Sequence, residues 1–150
     1  MSRAWLLCMG ALVSGCAEDG PTAPAPAAHP EVEAFVSAMN QHRSSVGCPE
    51  LTWHSGLAQV AEAHSQDMAA RDFFAHTNPD GQSPFDRIQN AGISYSSAAE
   101  NIAFGYPTGE AVLAGWLGSS GHKANIENCS LSEHGVGLSG TYWTHVFIRP

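Results

Sequence analysis

The spacing of apolar positions changes along this chain, and each change predicts a change of element. After Pro30, Val32, Phe35, Val36, Met39 and Val46 recur at helical spacing, and Gly47 can end the run. A second helix is predicted from Ser55 to Arg71, with Leu57, Val60, Ala61, His64 and Met68 along one stripe. Ser83 and Pro84 followed by Asp86 supply an N-cap, a first-turn proline and a dipole-matched acid, and Gly92 supplies a stop. Thr108 and Glu110 open a further helix through Ala111, Val112 and Trp116. The pattern then changes. Residues 135–138 and 142–148 are rich in β-branched and aromatic side chains, and Ser139-Gly140-Thr141 between them predicts a hairpin. Two short strands are not stable alone, so residues 51–53 and 102–104 are candidates for further strands. Together these elements predict an α+β layered domain over residues 31–150.

A different pattern precedes the domain. Arg3 is followed by an apolar run from Ala4 to Val13, then by Ser14, Gly15 and Cys16. The run falls short of the roughly 20 residues a membrane-crossing helix needs, but it fits the apolar core of a secretory signal, roughly 7 to 15 residues. Residues 1–15 are therefore expected to be a signal peptide. Val13-Ser14-Gly15-Cys16 also resembles the lipobox of bacterial lipoproteins, which implies cleavage before Cys16 and lipid on its sulfur. The alternative is an ordinary signal with a cysteine near its cleavage site. Lipidation would anchor the chain to the membrane without spanning it. Ala17 after the cysteine resembles the outer-membrane pattern if the host is Gram-negative. Residues 16–30 then form an Ala/Pro-rich tether, interrupted by Pro21, Pro24, Pro26 and Pro30.

Charge and cysteine content narrow the partners. The formal net charge is −8, and losing Arg3 with the signal makes the mature chain more acidic still. Nucleic acid is excluded as a partner because phosphate contacts need clustered Lys and Arg, and electrostatic capture by anionic lipid is disfavoured. With Cys8 in the signal and Cys16 taking lipid, Cys48 and Cys129 remain, an even pair that predicts a disulfide in an oxidising compartment. Zinc ligation by these two thiols is the alternative, but they lack any C-x-x-C spacing. The domain is expected to be a monomer.

An ordered series of motifs runs through the domain. It comprises Asn40-x-x-Arg43, Leu51-x-Trp53, Ala63-His64-Ser65-x-Asp67-Met68-Ala69, Phe73-Phe74-x-His76, Asp80-Gly81, Arg87 and Glu100-Asn101-Ile102-Ala103. It continues through Trp116-x-x-Ser119-x-Gly121-His122-x-x-Asn125-Ile126, Gly135-Val136-Gly137 and Tyr142-Trp143-Thr144. In this succession the chain resembles the CAP superfamily of cysteine-rich secretory, antigen 5 and pathogenesis-related proteins (SCP-like domains), especially its compact bacterial branch. The resemblance implies a three-layer α-β-α sandwich with a surface cleft.

The candidate chemistry lies in three polar residues placed where loops are expected: His76, Glu100 and His122. Two imidazoles and a carboxylate suit Zn2+ or another divalent metal and would leave a position for water, although their intervals match no compact ligand motif. The resemblance implies a cleft of two histidines and two glutamates, of which His76 and Glu100 stand at the first of each. Ser119 occupies the second glutamate's place and Tyr142 the second histidine's, so half the set is missing. His122 resembles the histidine of bacterial Ser-x-Gly-His. The same groups can instead form a hydrogen-bonded network that orders loops without metal. Strand alternation turns His145 away from the side bearing Tyr142, giving it a structural or surface place. His64 is read as a core histidine, and Trp53, Trp116 and Trp143 as core aromatics. His29, His42, His54 and His134 are assigned no role. The leading functional expectation is a binding module whose cleft of His76, Glu100, Ser119, His122 and Tyr142 takes a metal, small ligand, lipid or protein segment. The alternative is a metal-dependent hydrolase with Glu100 as general base. Ser119 and His122 lack the Gly-x-Ser-x-Gly elbow of serine catalysis.

Overall fold

The computed structural model describes residues 29–150. The expected signal, Cys16 and nearly all of the tether lie outside the described residues. The elements follow in the order α1 (Pro30–Ser45), β1 (Thr52–Trp53), α2 (Ser55–Arg71), α3 (Pro84–Asn90), β2 (Ser97–Phe104), α4 (Gly109–Leu117), α5 (Ser120–Ile126), β3 (Glu133–Ser139) and β4 (Tyr142–Arg149).

Local chemistry accounts for the helix starts. Pro30 opens α1, His29 Nδ1 accepts the Glu31 N–H, and Glu31 and Glu33 sit at the positive end of the helix dipole. His54 caps α2 by accepting the Leu57 N–H. Ser83 and Asp86 complete a reciprocal capping box on α3.

The sheet order is β1-β3-β4-β2, with β1 parallel to β3 and the other pairs antiparallel. Cross-strand partners share a face, so Glu100, Ile102 and Phe104 align with Val146, Thr144 and Tyr142, and with Gly135 and Gly137 of β3. On this face Leu57, Val60, Ala61 and Ile88 from α2 and α3 pack against Val146 and Ile148. On the other, Phe35, Met39, Val112, Trp116 and Ile126 from α1, α4 and α5 pack against Val136, Trp143 and Phe147. This is the expected α-β-α sandwich.

Two glycines set the closeness of α2. A Cβ on Gly135 would collide with the backbone of Leu57 and Ala58, and one on Gly137 with the backbone of Ala61 and Glu62. Because rigid backbone cannot yield, Gly135→Ala is expected to destabilise the domain by about 3 kcal/mol in urea unfolding. An unchanged midpoint would contradict this packing.

The end of α1 is fastened twice. Cys48 and Cys129 form the disulfide, with Cα atoms 4.8 Å apart. Beside it the fully buried Arg43 guanidinium donates to the carbonyls of Pro49, Ile126, Asn128 and Leu131 at 2.9, 2.7, 3.1 and 3.1 Å.

Several elements differ from expectation. β2 starts at Ser97 rather than 102, because pairing with β4 along its whole length outweighs the weak strand preference of Ser97 to Asn101. Glu100 therefore lies on a strand. α5 turns the expected loop around His122 into a short helix despite its glycine and asparagine. Trp53 is only half-buried at the sheet margin, whereas Trp116 and Trp143 are core residues as expected.

Candidate functional site

His76 is held at the edge of the sheet by the loop between α2 and α3. Asn78, itself buried, organises that loop: its Oδ1 accepts the N–H groups of Asp80 and Gln82, and its Nδ2 donates to Gln82 Oε1. Gly81 has φ +83°, in the left-handed region that favours glycine, and completes the turn. His76 Nδ1 donates to Glu100 Oε1 at 2.8 Å, while Arg87 Nη2 of α3 donates to Glu100 Oε2 at 2.7 Å. Arg87 Nη1 also donates to the carbonyls of His76 and Gln82, so one guanidinium ties the loop to both the helix and the strand. The Glu100 side chain is 2% exposed and that of His76 50%. A buried carboxylate thus fixes the ring, leaving His76 Nε2 as its remaining nitrogen.

Successive residues of β2 point to opposite faces. Glu100 meets His76 on one side, and the fully buried Asn101 faces α5 on the other. Asn101 Nδ2 donates to the His122 carbonyl, and Asn125 Nδ2 donates to Asn101 Oδ1. The His122 ring makes a 3.0 Å hydrogen bond through Nδ1 to Ser119 Oγ, and Ser119, although at the N-cap of α5, makes no side-chain cap bond. Burial, and secondarily the nearby His76, push the His122 imidazole below its ordinary range. α5, which carries His122, thus packs on the other face of β2 from the loop that carries His76, yet the two imidazoles lie near enough for one to feel the other.

Beside Glu100 the same face of β2 becomes apolar. Phe104 stacks on Tyr142 with ring centroids 4.4 Å apart and approaches Phe74 at 6.5 Å. Phe74 and Phe104 are more than half exposed, forming an aromatic wall beside the His76 loop.

Among the described residues no group of three His, Cys, Asp or Glu side chains gathers to hold a metal. Both Glu100 oxygens are engaged by His76 and Arg87, and His122 Nδ1 is engaged by Ser119. The structure joins His76 to Glu100, sets Tyr142 on the adjoining aromatic wall, and puts Ser119 with His122 on the other flank.

A sequence profile places the chain. The profile of the cysteine-rich secretory protein (CAP) family matches residues 36–147, most of the described domain. The chain belongs to this family. An uncharacterised Bacillus subtilis protein, YkwD, is 42% identical over 115 residues, covering 75% of this chain and 45% of YkwD. An uncharacterised B. subtilis membrane protein, YlbC, is 36% identical over 115 residues, covering 77% of this chain and 33% of its own length. The chain thus spans less than half of these curated relatives. An extracellular SCP-domain protein of Bacillus anthracis superposes with a TM-score of 0.77 at 36% identity, over 79% of this chain and 40% of that one. An outer surface protein of Borrelia burgdorferi, at 22% identity, shares the fold with a TM-score of 0.74 over 79% of this chain and 92% of its own. Among the described residues no helix is long and apolar enough to cross a membrane.

Within this CAP domain some histidines have structural tasks. His64 is a core residue as expected, bonded to the Ala75 carbonyl. His145 is fully buried beneath Phe35 and Trp116, which leaves the structural reading of its place and removes the surface one. His134, assigned no role from sequence, lies inside β3, and its Nδ1 meets His145 Nε2 at 2.9 Å. The signal for this pair was alternation: His134 lies opposite Phe147 and His145 opposite Val136, and all four share one sheet face. Arg87 was legible only as part of the motif series, and its contact with Glu100 was missed.

Proposed function

We propose that this CAP protein is exported to the cell envelope, held to the membrane by lipid on Cys16, and acts as a binding module rather than an enzyme. The extracellular and outer-surface nature of similar proteins and the Cys48–Cys129 disulfide support the compartment. The observation that carries the binding reading is the Arg87–Glu100–His76 chain of hydrogen bonds. A carboxylate engaged at both oxygens is poorly placed as a general base, but it orients an imidazole well. His76 Nε2 can then meet a ligand's polar group while Phe74, Phe104 and Tyr142 receive an apolar part. A small amphipathic molecule fits that pairing of chemistries.

Fragment screening by NMR tests the site. Binding fragments should perturb His76, Phe104 and Tyr142 together, and His76→Ala should weaken them at least about tenfold with the melting temperature unchanged. Fragments that bind His76→Ala as tightly as the parent chain would refute the cleft. The metal-dependent hydrolase is the rival, and it requires Glu100 to leave Arg87. A Zn2+-induced rise in melting temperature, lost in both His76→Ala and Glu100→Ala, would favour it. For the anchor, palmitate labelling should vanish in Cys16→Ser, and retained labelling would refute lipidation there.

A further inference from the structure

The outer side of β3 is only partly covered. β1 pairs with Glu133 and His134 alone, and among the described residues no strand lies on that side of β3 from Gly135 to Ser139. There the protein has a groove of about 570 Å³, with Val136 and Leu138 from β3, Trp53 from β1, and Gln59, Glu62 and Gln66 from α2 among its lining residues. It lies at the opposite edge of the sheet from His76 and Glu100.

Three features describe what would fill it. The Leu138 N–H, which would otherwise meet the next strand, donates to Glu62 Oε2 at 2.9 Å, so a side-chain carboxylate stands where a strand carbonyl would sit. Among the described residues the buried Trp53 Nε1–H has no acceptor, a deficit that a ligand carbonyl can relieve. Gln59 and Gln66 lie two helical turns apart, about 10 Å, which matches about three residues of extended chain. Carboxamides and a free sheet edge recognise peptide backbone. Among the described residues the lining carries the Glu62 carboxylate and the His29 imidazole but no lysine or arginine, so its charge suits a neutral or basic occupant.

We propose that this groove binds an extended peptide segment of a partner protein, neutral or basic with small apolar side chains, which continues the sheet beyond β1. The segment's carbonyl takes over the Leu138 N–H, and the released Glu62 carboxylate pairs with a basic side chain of the segment. Strand alternation turns every second residue of the segment toward Val136 and Leu138, which accounts for the requirement for small apolar groups.

Panning a phage-displayed random heptapeptide library on the full chain tests this. The enriched peptides should alternate small apolar residues with Lys or Arg. Their affinity should fall at least about tenfold in Ala63→Trp, because Ala63 is an exposed residue of the groove and the indole would fill it. Glu62→Gln should erase the preference for basic residues, and His76→Ala should leave binding unchanged. The absence of a consensus, an acidic consensus, or binding indifferent to Ala63→Trp would overturn the proposal. So would peptides that bind only after residues 17–28 are replaced by a Gly/Ser sequence, because the groove would then belong to the chain's own tether.

Discussion

Arg43→Leu is expected to destabilise the domain by about 4 kcal/mol or more in guanidinium unfolding. The guanidinium is buried, and four carbonyls from two separate loops converge on it. Leucine would fill part of the volume while leaving those acceptors without donors in a place closed to water, each unmade bond costing about 1–3 kcal/mol. Among the described residues the charge has no carboxylate partner, and burial pulls its pKa below the ordinary arginine value, so carbonyl dipoles hold it. The neighbouring disulfide acts on the other side of the equilibrium. Cys48→Ser with Cys129→Ser should also cost about 4–5 kcal/mol in the chain-entropy account, but by loosening the unfolded chain. The two defects should therefore differ in kind: loss of Arg43 should raise hydrogen exchange around residues 126–131 in the native state more than loss of the disulfide does. A loss below about 1.5 kcal/mol for Arg43→Leu would show that the carbonyls find other donors.

Acid should unfold the domain through His134 and His145. Their hydrogen bond needs one donor and one acceptor nitrogen, and the outer nitrogens, His134 Nε2 and His145 Nδ1, are buried without partners among the described residues. Burial and then the positive Arg43 push His134 down to about 4. Burial, His134 and Arg43 push His145 well down too. An unfolded histidine takes its proton near pH 6.5, a proton the folded pair refuses, so below that pH the unfolded chain binds more protons. Stability is therefore complete above about pH 7 and falls as pH drops from about 6.5 toward 4, with His134 alone accounting for about 3 kcal/mol. His64, also lowered chiefly by burial, acts in the same direction. Unfolding free energies measured between pH 4 and 8 should show this slope, and His134→Gln with His145→Gln should flatten it. An equally steep slope in that double variant would place the acid sensitivity elsewhere.

What could be read from sequence depended on whether the cause was local. The caps at Ser83 and Thr108 and the stripe of Leu57, Val60, Ala61, His64 and Met68 act within one element, and those helices lie where the spacing put them. The first half of β2 was not legible, since it owes its extension to β4 about fifty residues later, Ser97 pairing with Arg149 and Glu100 with Val146. The same reason hid the engagement of Glu100 by Arg87, because pairing across elements leaves no period in the chain. His76 and Glu100 were identified through motifs and do meet, whereas the motif could not show that His122 turns its Nδ1 to Ser119. In sequence His134 reads as a residue ahead of a strand that begins at Gly135, and only once β3 is extended back to Glu133 does alternation put it on the face of His145.

β4 is the last element in chain order, yet it is an interior strand, hydrogen-bonded to β2 on one side and β3 on the other. A polypeptide emerging amino end first presents β2 and the β1–β3 pair before the strand that joins them arrives. None of the earlier segments can complete the sheet alone, so assembly waits for residues 142–149 and then proceeds across long sequence separations. The architecture thereby leaves the sheet open in two parts until one strand, made after both, bridges them.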